Sequence, residues 1–272
     1  MALLAIRLMS MQLVDIGANL THESFRQDLD AVLARARAHG VTRMLVTGAS
    51  RASSEQALAL AHAHPGMLWA TAGVHPHHAL DYDEATHARL RELAGDRAVR
   101  AIGETGLDYY RNYAPRDAQH AAFERQLELA AELHLPLFLH QRDAHADFLA
   151  QLKRYRDRVP GAVVHCFTDT REALFDYLDL GCHIGITGWI CDERRGTHLR
   201  ELVREIPADR LMIETDAPYL LPRTVRPPPA HRRNEPMYLA HICAEIARDR
   251  GESVEVTAAH STANAIAFFG LR

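Results

Sequence analysis

The sequence predicts an α/β protein of the (β/α)8, or TIM, barrel class, and three observations carry that reading. Short apolar runs rich in Val, Ile and Leu alternate with longer stretches of helical period, the pattern of repeated strand–helix units. Eight such runs begin at intervals of roughly 20 to 37 residues with no domain-sized linker between them, and eight units in about 250 residues is the size of such a barrel. The runs are apolar nearly throughout, as parallel strands covered by helices should be. A doubly wound open sheet is the structural alternative. It would more often carry a Gly-rich phosphate loop after its first strand, and DIGANL contains none.

The predicted strands are QLVDIG (12–17), VTRMLVTG (41–48), MLWATAGV (67–74), AVRAIGET (98–105), LPLFLHQ (135–141), GAVVHCF (161–167), CHIGITGW (182–189) and RLMIETDA (210–217). SFRQDLDAVLARARAHG follows the first strand as a helix, and Gly40 and Gly181 stand where helices hand over to strands, the place for a glycine C-cap. PRDAQHAAFERQLELAAELHL opens on Pro115 with an acidic residue in its first turn, as a helix start does. After the eighth strand, LLPRTVRPPPAHRRNEP is a long Pro- and Arg-rich loop. Asn234 is then the expected cap, with Pro236 in the first turn, of the helix MYLAHICAEIARDRG. VEVTAAHSTANAIAFFG adds a last helix that closes the bottom or flank of the barrel.

The totals narrow the function classes. A net charge of −4, from 31 basic and 35 acidic side chains, argues against broad binding of duplex nucleic acid, although a local basic rim is compatible with it. Cysteines at 166, 182, 191 and 243 form no CxxC pair, so they read as buried or free thiols of a reducing compartment, which points to the cytoplasm. No stretch reaches the eighteen or so apolar residues of a membrane span, and the opening MALLAIRLMSMQ, broken by Arg7, lacks a signal peptide's cleavage site. Residues 1–11 read as an N-terminal extension and 12–272 as one domain, expected to act as a monomer.

Reactive groups of a barrel stand at the C-terminal strand ends, and here those ends are polar. Asp15 follows strand one, His75 strand three, Glu104 strand four, His140 strand five, His165 strand six, and Glu214 and Asp216 strand eight. Glu104 ends a buried run, where a lone carboxylate is costly to desolvate unless something cationic faces it. Backbone amides or an arginine would serve. So would a metal ion, and two histidines on the next two strand ends favour the ion; imidazole with carboxylate suits Zn, Mn, Fe or, with fewer imidazoles, Mg. Asp216 is either a ligand that also takes a proton from bound water or a turn residue in TDAP. His75 either donates to a substrate oxyanion or phosphate or packs on Pro76, while His77 and His78 read as solvated loop residues. Cys166 alternates to the strand face opposite His165 and no GxSxG elbow is present, so nothing points to a nucleophilic side chain. Arg111, Arg142, Arg171, Arg194, Arg195, Arg223, Arg226, Arg232 and Arg233 would form a local cationic rim suited to phosphates, unless they are scattered surface charges.

GVHPH, AIGETGLDYYRN, LFLHQRDAH, VVHCFT, GITGW, CDERRG and IETDAPYLLPR followed by RRNEP resemble, in order and spacing, the TatD family of metal-dependent deoxyribonucleases, over nearly the whole chain from Gln12 to Gly270. The resemblance implies an amidohydrolase-like barrel that cleaves phosphodiesters. It implies that Glu104, His140 and His165 bind a divalent metal, that Asp216 is a ligand or base, and that His75 lies close to the scissile phosphate. Most relatives end strand one with two metal-binding histidines. Here those positions are Gly17 and Asn19, a departure shared by the subfamily of Mg-dependent 3′ to 5′ exonucleases on single-stranded DNA and RNA. That resemblance makes Mg the expected ion, with Mn or Zn as alternatives, a second metal position weak, and Asp15 a structural carboxylate. A role in DNA repair or nucleic-acid turnover would follow. Arg111 and Arg142 would then hold the substrate backbone, and Tyr109, Tyr110 and Trp189 would stack unpaired bases. Two other readings compete: a small-molecule amide, lactone or phosphotriester hydrolase, which usually has more imidazole ligands and often a bridging lysine, whereas Lys153 is the chain's only lysine; and a non-catalytic metal-binding accessory protein.

Overall fold

The computed structural model describes residues 12–272, so the extension predicted for 1–11 lies outside the described residues. All eight predicted strands form: β1 (Leu13–Ala18), β2 (Val41–Val46), β3 (Leu68–Ala72), β4 (Val99–Asp108), β5 (Leu137–Arg142), β6 (Ala162–Val164), β7 (His183–Ile186) and β8 (Leu211–Ile213). They follow one another through the sheet in chain order. Most are shorter than predicted; β4 instead runs three residues beyond its predicted end. Between them come α1 (Leu29–Ala38), α2 (Arg51–Ala63), α3 (Glu84–Ala94), α4 (Arg116–Leu133), α5 (His145–Lys153), α6 (Arg171–Asp179) and α7 (Leu199–Leu202), then α8 (Leu239–Arg250) and α9 (Val254–Phe269). Gly40 and Gly181 take φ of 82° and 66°, the left-handed values that end a helix. No helix among the described residues is long and apolar enough to cross a membrane.

The chain divides into two compact units: the described residues through Leu45 together with Ile184–Arg272, and Val46–His183. In the Val46–His183 unit, β3, β4, β5 and β6 pair in parallel. Along β4 and β5 the register runs from Ile102 opposite Leu137 to Thr105 opposite Leu139, so β4 holds one residue more than its partner at Gly103–Glu104. Such a bulge re-aims the side chain it carries. Glycine allows the two backbones to meet there: a Cβ on Gly106, at φ 149°, would lie 1.8 Å from the His140 carbonyl oxygen. Beneath this, α4 and α5 bury Phe123 and Phe148, stacked with ring centroids 5.2 Å apart. Two glutamines seven residues apart on α4 stand in for missing sheet partners. Gln126 accepts the Val74 N–H at 2.7 Å and donates to its carbonyl at 3.0 Å. Gln119 accepts from the Asp108 N–H at 2.8 Å and donates to its carbonyl at 3.2 Å. Both amides are buried and paired, which avoids the cost of an unsatisfied polar group.

In the other unit β7 and β8 pair in parallel, and Ala18 bridges Ala217. Asp15 is fully buried and accepts from the Gly17 N–H (3.2 Å), the Thr215 N–H (2.9 Å) and the Thr215 hydroxyl (2.5 Å), the structural carboxylate that was expected. Burial pushes its carboxyl up to about 7 against the pull of those donors. α9 flanks β1 and β8. The expected cap shifts by one residue: Glu235, not Asn234, opens a 3-10 turn at Pro236–Tyr238 that leads into α8. The Asn234 amide is already engaged, donating to the Thr215 carbonyl at 2.9 Å and accepting from the Glu235 N–H at 2.9 Å. The Pro-rich loop is held by Arg233, paired with Asp28 and Glu235 at 2.7 Å each, and by Arg35, paired with Glu235 at 2.7 Å.

Gly106→Ala should lower the unfolding free energy by about 3 kcal/mol, because the added methyl collides with backbone and not with a side chain that can turn away. Denaturant unfolding of the variant measures this, and a stability equal to wild type would contradict the close approach.

Candidate metal centre

Three imidazoles of the Val46–His183 unit converge on one carboxylate oxygen. The β4 bulge aims Glu104 at β5 and at the loops after β3 and β6, and its Oε1 lies 2.7 Å from His165 Nε2, 3.1 Å from His140 Nδ1 and 3.4 Å from His75 Nε2. The carboxylate side chain is 9% exposed, and among the described residues it pairs with no arginine or lysine. One nitrogen each of His75 and His140 and one oxygen of Glu104 all fall within 4.8 Å of one another. Phe138 backs the site, its ring stacked 4.5 Å from that of His165.

The electrostatics follow from burial and contacts. Burial would raise the Glu104 carboxyl, but the facing His165 and His75 and the hydrogen bonds from His140 and His165 hold it well below the usual carboxylate range. Burial holds His75 well below an ordinary histidine, so it is neutral. Burial would lower His140 too, yet hydrogen bonds to Asp108 and Glu104 raise it.

Tautomers separate the histidines. His75 Nδ1 accepts the His77 N–H at 3.1 Å, so the neutral ring carries its proton on Nε2, the atom facing Glu104; a protonated nitrogen donates and does not ligate. His140 presents Nδ1 to Glu104 and Nε2 to Asp108 at 3.4 Å. The donor set of one carboxylate and imidazole nitrogens, with no cationic side chain against the carboxylate, fits a divalent cation.

The sequence-predicted Glu104, His140 and His165 are therefore brought together, and His75 joins them. Asp216 belongs to the other unit. There its Oδ1 accepts from Asn19 Nδ2 at 2.8 Å and its N–H donates to the Gly17 carbonyl at 2.8 Å, so the strand end that lacks histidines orients this aspartate. Asp108 was missed: it is 1% exposed and touches both His140 and His77. The signal was its spacing of four from Glu104, but the predicted strand stopped at 105.

Several expectations need correction. His77 is not a solvated loop residue; its Nε2 lies 2.8 Å from Asp108 Oδ2. Tyr109 is unsuited to stacking, since it is only partly exposed and its hydroxyl meets His120 and Asp147 at 2.6 Å each. Trp189 is only partly exposed as well, with Arg195 4.4 Å over its ring. Nor is the basic rim broad: Arg194 and Arg195 pair with Asp192, Arg223 with Glu193, and Arg233 with Asp28 and Glu235. Arg142 and Arg111 lie over Tyr110 at 3.9 and 5.6 Å. Tyr110 and Tyr113 are 55% and 65% exposed, with Tyr113 4.7 Å from His77.

Parallel strands in chain order, a carboxylate ringed by imidazoles at their C-terminal ends and the solved structures it resembles define a hydrolase of the (β/α)8 barrel class with a candidate divalent-metal centre. A family model described as TatD related DNase matches residues 14–270, and the chain belongs to that family. It is 53% identical over 257 residues to the 3′-5′ ssDNA/RNA exonuclease TatD of Pantoea ananatis, covering 94% of this chain and 99% of that one. The protein of the same name from Enterobacter lignolyticus is 55% identical, with 94% and 98% covered. Among solved structures, a TatD homologue from Escherichia coli superposes with a TM-score of 0.86 at 27% identity, covering 95% of this chain and 98% of that one. A TatD family hydrolase from Entamoeba histolytica gives 0.85 at 26%, with 97% and 100% covered.

Affinity for Mn2+ should rise as the pH climbs through and above the ordinary histidine value, since His140, to ligate, would have to lose a proton that its carboxylate neighbours retain above that value. Calorimetric titration across that range checks this, and a flat profile would remove His140 from the ligand set.

Proposed function

We propose that the protein is a divalent-metal-dependent exonuclease that shortens single-stranded DNA and RNA from the 3′ end. The observation that carries this reading is a buried, arginine-free Glu104 facing imidazole nitrogens, next to an exposed tyrosine–arginine patch, in a chain more than half identical to relatives named for that activity. Residues 14–270, the span of the family match, support reading 12–272 as one catalytic domain.

Glu104, His140 and His165 would hold the ion. When bound, a divalent cation polarises a phosphodiester oxygen and makes coordinated water more acidic. Burial and neutrality fit His75 to donate from Nε2 to a phosphate oxygen, since it cannot both carry that proton and ligate through the same atom. Asp216 keeps the role of ligand or base that the family resemblance implies. Arg111 and Arg142 would neutralise the entering backbone, and Tyr110 and Tyr113 offer ring faces to unpaired bases, which suits single strands. The ion is proposed to be Mg, with Mn binding more tightly because imidazole nitrogen favours it. Free cysteines, buried at 182, 191 and 243, suit the cytoplasm, and the protein is proposed to act there as a monomer.

With 5′-end-labelled single-stranded DNA and Mg, the full chain should yield a ladder shortened from the 3′ end that EDTA abolishes. Glu104→Gln should cut kcat/KM by about 10^3-fold or more, because it removes the anion that the histidines and ion surround. No shortening above the EDTA control would sink the proposal.

Tyr110→Ala and Tyr113→Ala should each weaken binding of single-stranded DNA by about 1–3 kcal/mol in a filter or anisotropy assay, the usual worth of a stacked base. Mn2+ affinity should be untouched. Unchanged DNA binding in both variants would place the strand elsewhere.

A further inference from the structure

We propose that Asp108 is a positioning residue that fixes which nitrogen of His140 faces the metal and, through its other oxygen, closes the loop that displays Tyr110 and Arg111. The inference rests on the reading of His140 as a metal ligand, and its geometry lies within the Val46–His183 unit.

Asp108 is the last residue of β4, its main chain clamped on both sides by Gln119. That clamp leaves the side chain little freedom. Oδ1 accepts the Arg111 N–H at 2.8 Å, while Oδ2 faces His77 Nε2 at 2.8 Å and His140 Nε2 at 3.4 Å. Among the described residues Asp108 pairs with no arginine or lysine, so imidazoles and one main-chain amide are its partners. An ionised carboxylate only accepts hydrogen bonds. Both carboxylates facing His140 are acceptors, Glu104 Oε1 3.1 Å from Nδ1 and Asp108 Oδ2 3.4 Å from Nε2, and a cation held through Nδ1 removes the first of them, so that the ring must then present its N–H from Nε2 to Asp108. Without that acceptor the imidazole proton has no preference for Nε2, and any population on Nδ1 blocks the ligand position. Carboxylates behind metal-bound histidines commonly act in this way, and losing one typically costs about 10- to 100-fold in metal affinity.

Asparagine exposes the difference between positioning and packing. Its side chain has nearly the same shape but one acceptor atom and a donor group. If its oxygen keeps the Arg111 N–H, its NH2 points at His140 Nε2, which then must accept, and the proton moves to Nδ1. If it flips, NH2 meets N–H. Asp108→Asn should thus preserve the fold yet raise the Mn2+ Kd by about 10- to 100-fold, whereas His77→Gln, which leaves the Asp108–His140 contact in place, should not.

The test measures Mn2+ binding to the full chain by calorimetry and the ring 15N shifts of His140 in protein loaded with diamagnetic Mg2+, at alkaline pH so that each imidazole carries at most one proton. Wild type and His77→Gln should show His140 protonated on Nε2, and Asp108→Asn on Nδ1 with weakened Mn2+ binding. A wild-type ring protonated on Nδ1 overturns the inference by itself, even if the variant fails to fold. So does an Asp108→Asn protein that binds Mn2+ like wild type. Wild type that binds no Mn2+ at all would instead strike the metal reading on which the inference stands.

Discussion

Glu104 is buried with no arginine or lysine against it, and much of the Val46–His183 unit follows from that constraint. Desolvating a carboxylate costs several kcal/mol unless charge or hydrogen bonds compensate. Here imidazole nitrogens from β5 and from the loops after β3 and β6 supply that compensation. Those nitrogens hold the carboxyl well below the usual carboxylate range, and the same donor set is one that suits a divalent cation.

Reaching that arrangement requires backbone geometry that ordinary strands do not supply. The extra residue in β4 turns Glu104 towards its partners, and the missing side chains of Gly103 and Gly106 let β4 lie against β5. Gln119 and Gln126 then secure the strand ends where sheet hydrogen bonds stop. The buried polar network is satisfied at each of these steps, and such a network holds its members in one geometry. Asp108, clamped by Gln119, carries the order outward from His140 to His77 and to the loop bearing Tyr110 and Tyr113.

The other unit has its own anchor in Asp15, whose three donors lock the ends of β1 and β8. At the end of β1 the carbonyl of Gly17 and the amide of Asn19 hold Asp216. Arg233, Arg35, Asp28 and Glu235 spend their charges on one another to hold the Pro-rich loop, which leaves less basic surface than a count of arginines implies.

The sequence by itself determined the strand–helix order and the polar strand ends. Hydrophobic period is a local property, and Glu104, His140 and His165 each interrupt an apolar run that is visible without any contact being known. The family was legible for the same reason, since GETGLDYYRN and IETDAPYLLPR are contiguous in the chain. Only the tertiary structure decided the rest. Asp108 entered the site because β4 continues past a bulge that no periodicity signals, and the Nδ1 of His75 accepts from a main-chain amide two residues on. Arg223 and Arg233 left the rim through partners 30 and 205 residues away. Pairing across such separations depends on where the folded backbone brings charges together, and composition or spacing along the chain holds no record of it.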